Sequence, residues 1–204
     1  MTNATATLWN IARLAGPSKM IGHLGAIPPL IKLAIDGTSD QKTYATGALG
    51  NLALNEDNNL AIVESQGLNA IFAMAAQGTA MQKKRAAGAL RCLASSPRTS
   101  FVIAHTPYGV TLLLRLLEEG DDDDDLQTEA MGALSFLSCV QENMSKLEES
   151  SAFEIVGQLE TTTKIDVVRR LAQRVRTNKE KVLEQSIGFS STPEPEPEPE
   201  PESA

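Results

Sequence analysis

Aromatic residues, cysteine and histidine are all scarce in this sequence. Aromatics make up 4% of the 204 residues, and there are only two cysteines, Cys92 and Cys139, and two histidines. Two cysteines cannot form the disulfide framework of a small secreted domain, and no Cys or His pair has metal-ligand spacing. The apolar runs stay well below the roughly 20 residues of a membrane-spanning helix. We therefore expect no metal, no membrane span and reduced thiols.

Catalytic motifs and a basic stripe are absent as well. The chain has no G-x-S-x-G, no P-loop and no G-x-G-x-x-G. Its formal net charge is −8, and five of the negative charges are glutamates of the last fifteen residues. The nearly balanced remainder argues against nucleic-acid binding, which usually shows a basic surface. The sequence therefore predicts a protein that is not an enzyme and needs no cofactor.

What the chain does contain is a recurring small-residue motif. The pattern A-x-G-A-L-x-x-L begins at Ala45, Ala86 and Ala130. Its leucines lie 41 and then 44 residues apart, and a second row of apolar residues recurs every 41, 42 and 43 residues. Two rows in phase indicate a repeat protein. The rows are Leu49, Leu90 and Leu134, and Leu30, Ile71, Leu113 and Val156.

Each unit divides into three helical segments. Apolar residues at helical spacing predict a short first helix, a second helix ended by Gly37, Gly78 or Gly120, and a longer third helix. Pro28 and Pro29 fit the first turn of a second helix, where a missing N–H costs little. A glycine is expected between the first two helices, at positions 25, 67 and 109. No segment alternates with period two, so we expect no sheet.

The segments GAIPPLIKLA (25–34) and ATGALGNLA (45–53) resemble an armadillo repeat. The resemblance covers residues 3–187 and implies an all-α, right-handed solenoid of three complete repeats plus partial terminal ones, within a domain of residues 1–187. It also implies a non-enzymatic scaffold that binds a peptide or protein segment in a concave groove lined by third helices. In importin-alpha and beta-catenin-like members an asparagine there holds the ligand backbone, and Asn51 matches it, with Asn10 one unit earlier.

Glycines stand where importin-alpha has its groove tryptophans, at Gly47, Gly88 and Gly132, so the chain is closer to beta-catenin-like and plant or protist members. These glycines either pack neighbouring helices closely or widen the groove. Lys84 and Arg169 would favour an acidic segment, and Phe136 is either an apolar anchor or part of the core. The predicted groove residues are Thr43, Gly47, Asn51, Lys84, Gly88, Cys92, Thr128, Phe136, Arg169 and Gln173.

Three other segments stand outside the repeat core. Residues 188–204 are rich in proline and glutamate, which alternate after Thr192, and predict a disordered, extended acidic tail. Residues 121–125 are all aspartate and predict a solvated loop, and residues 167–181 predict a basic last helix. The chain starts inside a third helix, TLWNIA, so the N-terminal end is expected to lack a cap and to leave self-association open.

Several functions remain open at this point. The favoured one is a protein–protein interaction scaffold or adaptor in the cytoplasm, with the nucleus as an alternative location. The chain could also be the recognition module of a larger protein such as a ubiquitin ligase. A nuclear transport adaptor is disfavoured by the missing tryptophans. A solenoid enzyme of the bilin-lyase type is a distant alternative, since those proteins have shorter units.

Overall fold

The structure is a computed structural model that describes residues 2–120 and 123–189. The backbone of these residues forms α-helices and one 3₁₀ turn, with no β-strand. Most of the predicted acidic tail and the start of the aspartate loop, residues 190–204 and 121–122, lie outside the described residues. The helices are α1 Thr2–Ile11, α2 Ala15–His23, α3 Ile27–Asp36, α4 Ser39–Leu52, α5 Glu56–Glu64, α6 Gly67–Gln77, α7 Ala80–Ala94, α8 Pro97–His105, α9 Gly109–Glu119, α10 Asp124–Leu137, α11 Met144–Glu149, α12 Ala152–Thr162 and α13 Asp166–Phe189, with the 3₁₀ turn at Gln141–Asn143.

After α1, the helices follow one another in sets of three. The third helix of each set, α4, α7, α10 and α13, packs against the third helix of the set before it, and α4 packs against α1 in the same way. This arrangement confirms the predicted right-handed α-solenoid. The described residues hold a fourth set, α11–α13, where the repeat pattern indicated a partial unit. Its first helix has only six residues, too few to show a helical period.

The two residue rows that define the repeat form its core. Leu49, Leu90 and Leu134 are 0% exposed, and the row from Leu30 to Val156 is at most 2% exposed. Burial of one such side chain stabilises the fold by about 1.5–3 kcal/mol. The leucines lie on the third helices and the other row lies on the second helices. Both helices of a unit therefore contribute buried side chains to one continuous core.

The same residue types recur at the junction between the second and third helices of successive units. Gly37, Gly78 and Gly120 end the second helices, as predicted. Thr38 and Thr79 then begin α4 and α7 with a capping box, in which the threonine and a glutamine three residues later each accept the other's backbone N–H. Pairing these otherwise free donors defines where each third helix starts.

The turn between the first and second helices has left-handed backbone. The angle φ is 79° at Gly25, 61° at Gln66 and 65° at Tyr108. In the later units the predicted turn glycine therefore lies one residue further on, at the first residue of the second helix. A Cβ on Gly109 would lie 2.0 Å from the carbonyl oxygen of Ile103. Close approach of the backbone, and not a positive φ, requires glycine there.

Buried polar side chains join successive units. Asn59 Nδ2 donates to the carbonyl oxygens of Ala53 and Leu93, each at 3.1 Å, in the last turns of α4 and α7. Thr99 of the next unit donates to Asn59 Oδ1 at 2.6 Å. These bonds satisfy carbonyls that a helix end leaves free. The corresponding positions of the four units are Ser18, Asn59, Ser100 and Asn143, and Asn143 Nδ2 donates to Ser100 Oγ at 3.1 Å.

Candidate protein-binding groove

The third helices α4, α7 and α10 and the end of α1 border a cavity of about 290 Å³. We call this cavity the central groove. It is open to solvent and its wall is mostly polar, which suits a peptide backbone better than an apolar small molecule. Its lining residues are Trp9, Gly47, Gly50, Asn51, Lys84, Arg85, Gly88, Ala89, Arg91, Cys92, Asp125 and Glu129.

The helix glycines play different roles in the central groove. A Cβ on Gly88 would meet nothing closer than the Glu129 carboxylate at 3.5 Å, an ordinary contact, so there is room for a methyl group at Gly88 without a clash. A Cβ on Gly47 would lie 2.8 Å from the indole Nε1 of Trp9, so this glycine makes room for a side chain of α1. Close packing of helix backbones is found instead at Gly50, where a Cβ would lie 2.9 Å from the Cα of Ala89.

Asn51 links α4 to α1 through a hydrogen bond. Its Nδ2 donates to the carbonyl oxygen of Trp9 at 3.0 Å, in the last turn of α1, where carbonyl groups have no partner within the helix. No donor from the described part of the chain reaches its Oδ1. Half of the amide is therefore committed to the fold, and the other half can accept a hydrogen bond from a ligand N–H.

Trp9 and Arg85 form a cation–π contact across α4. The guanidinium carbon of Arg85 lies 4.5 Å from the centroid of the Trp9 ring, and the Tyr44 ring lies 5.9 Å from it on the α4 side. The indole reaches Arg85 because Gly47 has no side chain: a Cβ there would lie 2.8 Å from Trp9 Nε1 and 3.5 Å from Arg85 Cδ. Among the described residues, no carboxylate forms an ion pair with Arg85.

The other two cations of the central groove are paired within the chain. Lys84 Nζ lies 2.9 Å from Asp123 Oδ1 and 3.2 Å from Asp125 Oδ2. The hydrogen bond to Asp123 raises the pKa of Lys84 and, in return, lowers the pKa of the Asp123 carboxyl. Arg91 Nε donates to Glu129 Oε2. Burial alone would lower the pKa of Arg91, but the Glu129 carboxylate outweighs burial and raises it.

Cys92 closes the wall of the groove as a neutral group. Its side chain is 6% exposed, and burial raises the pKa of its thiol. A buried thiol behaves as a small apolar group. Cys92 occupies the position of Asn51 one unit later, so the asparagine contact to a ligand backbone has no counterpart in this unit.

The structure brings five of the ten predicted groove residues together, namely Gly47, Asn51, Lys84, Gly88 and Cys92. The other five lie elsewhere. The Thr43 hydroxyl donates to the Ser39 carbonyl of its own helix. Phe136 is half-buried in a separate cavity of about 240 Å³, with Arg174 over its ring. Thr128, Arg169 and Gln173 line none of the cavities described here, and Arg169 binds Asp166 and the Thr163 carbonyl.

Sequence reasoning missed most of the charged wall. Arg85 and Glu129 occupy the position of Tyr44 in successive units, and Arg91 occupies the position of Trp9. The repeat register contained this signal, because a residue at the Trp9 position faces the residue at the Tyr44 position on the next third helix, as Trp9 faces Tyr44 and Arg91 faces Glu129. The prediction used only the positions of the groove asparagine and of the importin-alpha tryptophans, so it did not include these charged residues.

The described residues also limit other kinds of site. They contain no group of three or more His, Cys, Asp and Glu side chains placed to hold a metal ion. Across residues 2–120 and 123–189, no single helix has the length and apolar composition of a membrane span. Only α8 and α9 taken together meet that test, and they are bent by 88° from each other.

Comparison with known proteins finds an armadillo repeat in part of the chain. The model of the armadillo/beta-catenin-like repeat matches residues 15–54, which cover α2, α3 and α4. The chain therefore contains a segment similar to one armadillo repeat. No curated protein sequence matches the chain.

Solved structures extend the armadillo match over nearly the whole chain. An engineered protein is 27% identical with a TM-score of 0.82, over 89% of this chain and 73% of that one. A designed armadillo repeat protein in complex with the peptide (KR)4 is 22% identical with a TM-score of 0.79, over 87% and 74%. A structure from work on the interaction between cadherin and beta-catenin is 17% identical with a TM-score of 0.75, over 87% and 33%. At these identities the last two show the fold alone.

Proposed function

We propose that this protein is a non-enzymatic scaffold that holds an extended segment of another protein in the central groove. The armadillo fold supports a protein-binding role. The observation that carries the finer proposal is the open, polar cavity beside Gly88. Its neighbouring helices are complete, yet no side chain of the described residues fills it. An extended segment can place its backbone against Asn51 Oδ1 and its side chains in the remaining space.

The solved relatives support this proposal. One designed armadillo repeat protein holds the peptide (KR)4, and another structure belongs to work on cadherin and beta-catenin. Both show that such a solenoid can present a binding surface for a protein or peptide. For this chain the partner is a proposal, and so is a place within a larger recognition protein.

The test uses two matched substitutions at helix glycines. Gly88→Phe fills the central groove, whereas Gly157→Phe adds the same side chain on exposed α12, where nothing lies within 4 Å of the added Cβ. Wild type and both variants are immobilised and challenged with cell extract, and bound proteins are quantified by mass spectrometry. Equal helicity by circular dichroism shows that both variants fold.

We expect a set of proteins that binds wild type and Gly157→Phe and is depleted on Gly88→Phe. If Gly88→Phe recovers the same proteins in the same amounts, the central groove is not the binding site. The interface would then have to be sought on the second helices or at an end of the array.

A further inference from the structure

We infer that the segment bound in the central groove carries a carboxylate side chain, which pairs with Arg85 on the face of Trp9. The inference rests on the proposed function, because it names the ligand chemistry of the same groove. It places the positive charge of the groove on Arg85, and not on Lys84 and Arg169 as the sequence pattern indicated.

Charge pairing within the groove singles out Arg85. Lys84 already contacts two aspartates, and Arg91 already contacts Glu129. Arg169 lies outside the central groove and pairs with Asp166. Arg85 is the one lining cation that no carboxylate of the described residues neutralises. A ligand carboxylate would give Arg85 the acidic partner that it lacks among the described residues, whereas a ligand cation would place a second cation without an acidic partner beside it.

The contact with Trp9 leaves the guanidinium ready for such a ligand. The group carries five N–H donors, and no carboxylate of the described residues forms an ion pair with them, so donors remain available beside the ring. A carboxylate can accept two of them in parallel, a geometry that arginine supports and lysine does not. The 4.5 Å contact with the indole also holds the side chain in place before binding, which reduces the ordering cost of forming the pair.

The position of Arg85 also fits an extended segment. Asn51 and Arg85 both line the same cavity, on adjacent third helices. A segment that gives a backbone N–H to Asn51 Oδ1 can therefore give a neighbouring side chain to Arg85. Non-specific attraction would not produce a preference for acidic segments, because the net charge of the whole chain is −8.

Trp9 makes this contact directly measurable, since it is the only tryptophan of the chain. The probes are three capped peptides of five residue pairs, serine–glutamate, serine–glutamine and serine–lysine. Alternation keeps a test side chain near Arg85 in more than one register. Binding to wild type is followed by tryptophan emission, and binding to all variants by anisotropy of labelled peptide. The variants are Arg85→Gln, the exposed control Arg98→Gln on α8, and Gly88→Phe.

We expect the glutamate peptide to change the Trp9 emission with saturation and to bind wild type at least tenfold more tightly than the glutamine peptide. The lysine peptide should bind more weakly than both. Arg85→Gln should remove the glutamate preference, whereas Arg98→Gln, with the same change of charge, should keep it. Gly88→Phe should weaken both peptides.

Three results would overturn the inference: equal affinity of wild type for the glutamate and glutamine peptides, a preference that survives Arg85→Gln, or no binding of the glutamate peptide. The proposed function fails on a different result. If the glutamate peptide binds through Arg85 but Gly88→Phe loses no partner from cell extract, the carboxylate site stands and the scaffold proposal is wrong. If the peptides bind alike and Gly88→Phe blocks them, the groove stands and the carboxylate preference is wrong.

Discussion

Gly88 and Gly50 provide a test of how open the central groove is, since both are helix glycines and differ in what surrounds them. Replacing a glycine in a helix by alanine favours the helix by about 1 kcal/mol. At Gly88 the new methyl group meets only the Glu129 carboxylate at 3.5 Å. We therefore expect Gly88→Ala to raise the free energy of unfolding by about 0.5–1 kcal/mol.

At Gly50 the same methyl group meets backbone. The added Cβ would lie 2.9 Å from the Cα of Ala89 and 3.3 Å from its N, so α4 and α7 would have to move apart. Overpacking of this kind costs about 1–3 kcal/mol, which offsets or exceeds the gain in helix propensity. We expect Gly50→Ala to lie about 1–3 kcal/mol below Gly88→Ala in stability.

Urea denaturation followed by circular dichroism measures both changes. The midpoint should rise for Gly88→Ala and stay level or fall for Gly50→Ala, with similar slopes for the two transitions. Equal shifts for the two variants, or a loss of stability for Gly88→Ala, would refute the conclusion that Gly88 has room for a methyl group. The floor of the groove would then be packed, and the binding proposal would lose its main support.

Three further predictions concern the buried and charged contacts. Asn59→Leu should lower the free energy of unfolding by about 2–3 kcal/mol, since it leaves the carbonyls at the ends of α4 and α7 unpaired; an unchanged urea midpoint would contradict this. A thiol reagent at mildly alkaline pH should label Cys139, which is exposed, and not Cys92, whose thiol is buried and has a raised pKa, until denaturant is added; two fast-reacting thiols in the native protein would show this burial to be wrong. Lys84 lowers the pKa of Asp123, so the pair stabilises the fold at neutral pH and that contribution is lost as the pH falls through the folded pKa of the carboxyl. Asp123→Asn keeps a side chain that can cap α10 and should lower the melting temperature at neutral pH but not below about pH 3; an equal loss at both pH values would assign the effect to the cap.

The fold could be predicted because its determinants lie within one unit. The leucine rows, the helix-ending glycines and the prolines of α3 act through local backbone preference and a period that repeats in the sequence. The same reasoning selected Asn51 and Gly88, which both line the central groove. The role of a position that recurs in every unit can be predicted without knowledge of the residues that pack against it.

The charged wall of the groove could not be predicted in this way, because it depends on pairs between units. Trp9 reaches Arg85 only because Gly47 of α4 has no side chain between them. Lys84 and Arg91 have acidic partners only because α10 places Asp123, Asp125 and Glu129 opposite them. The charge of a cationic residue can therefore be neutralised by acidic side chains of another unit. For this reason the groove cation without an acidic partner among the described residues is Arg85 and not Lys84.

Serine and asparagine alternate at the buried polar position that recurs in the four units, and this alternation affects how the array can be lengthened. The residues run Ser18, Asn59, Ser100 and Asn143, so each long amide is followed by a short hydroxyl. A unit copied next to itself would lose these pairs, because Asn59 bonds Thr99 of the unit after it and Asn143 bonds Ser100 of the unit before it. The exchangeable building block of this solenoid is therefore a pair of units, and an array lengthened by two units should fold better than an array lengthened by one.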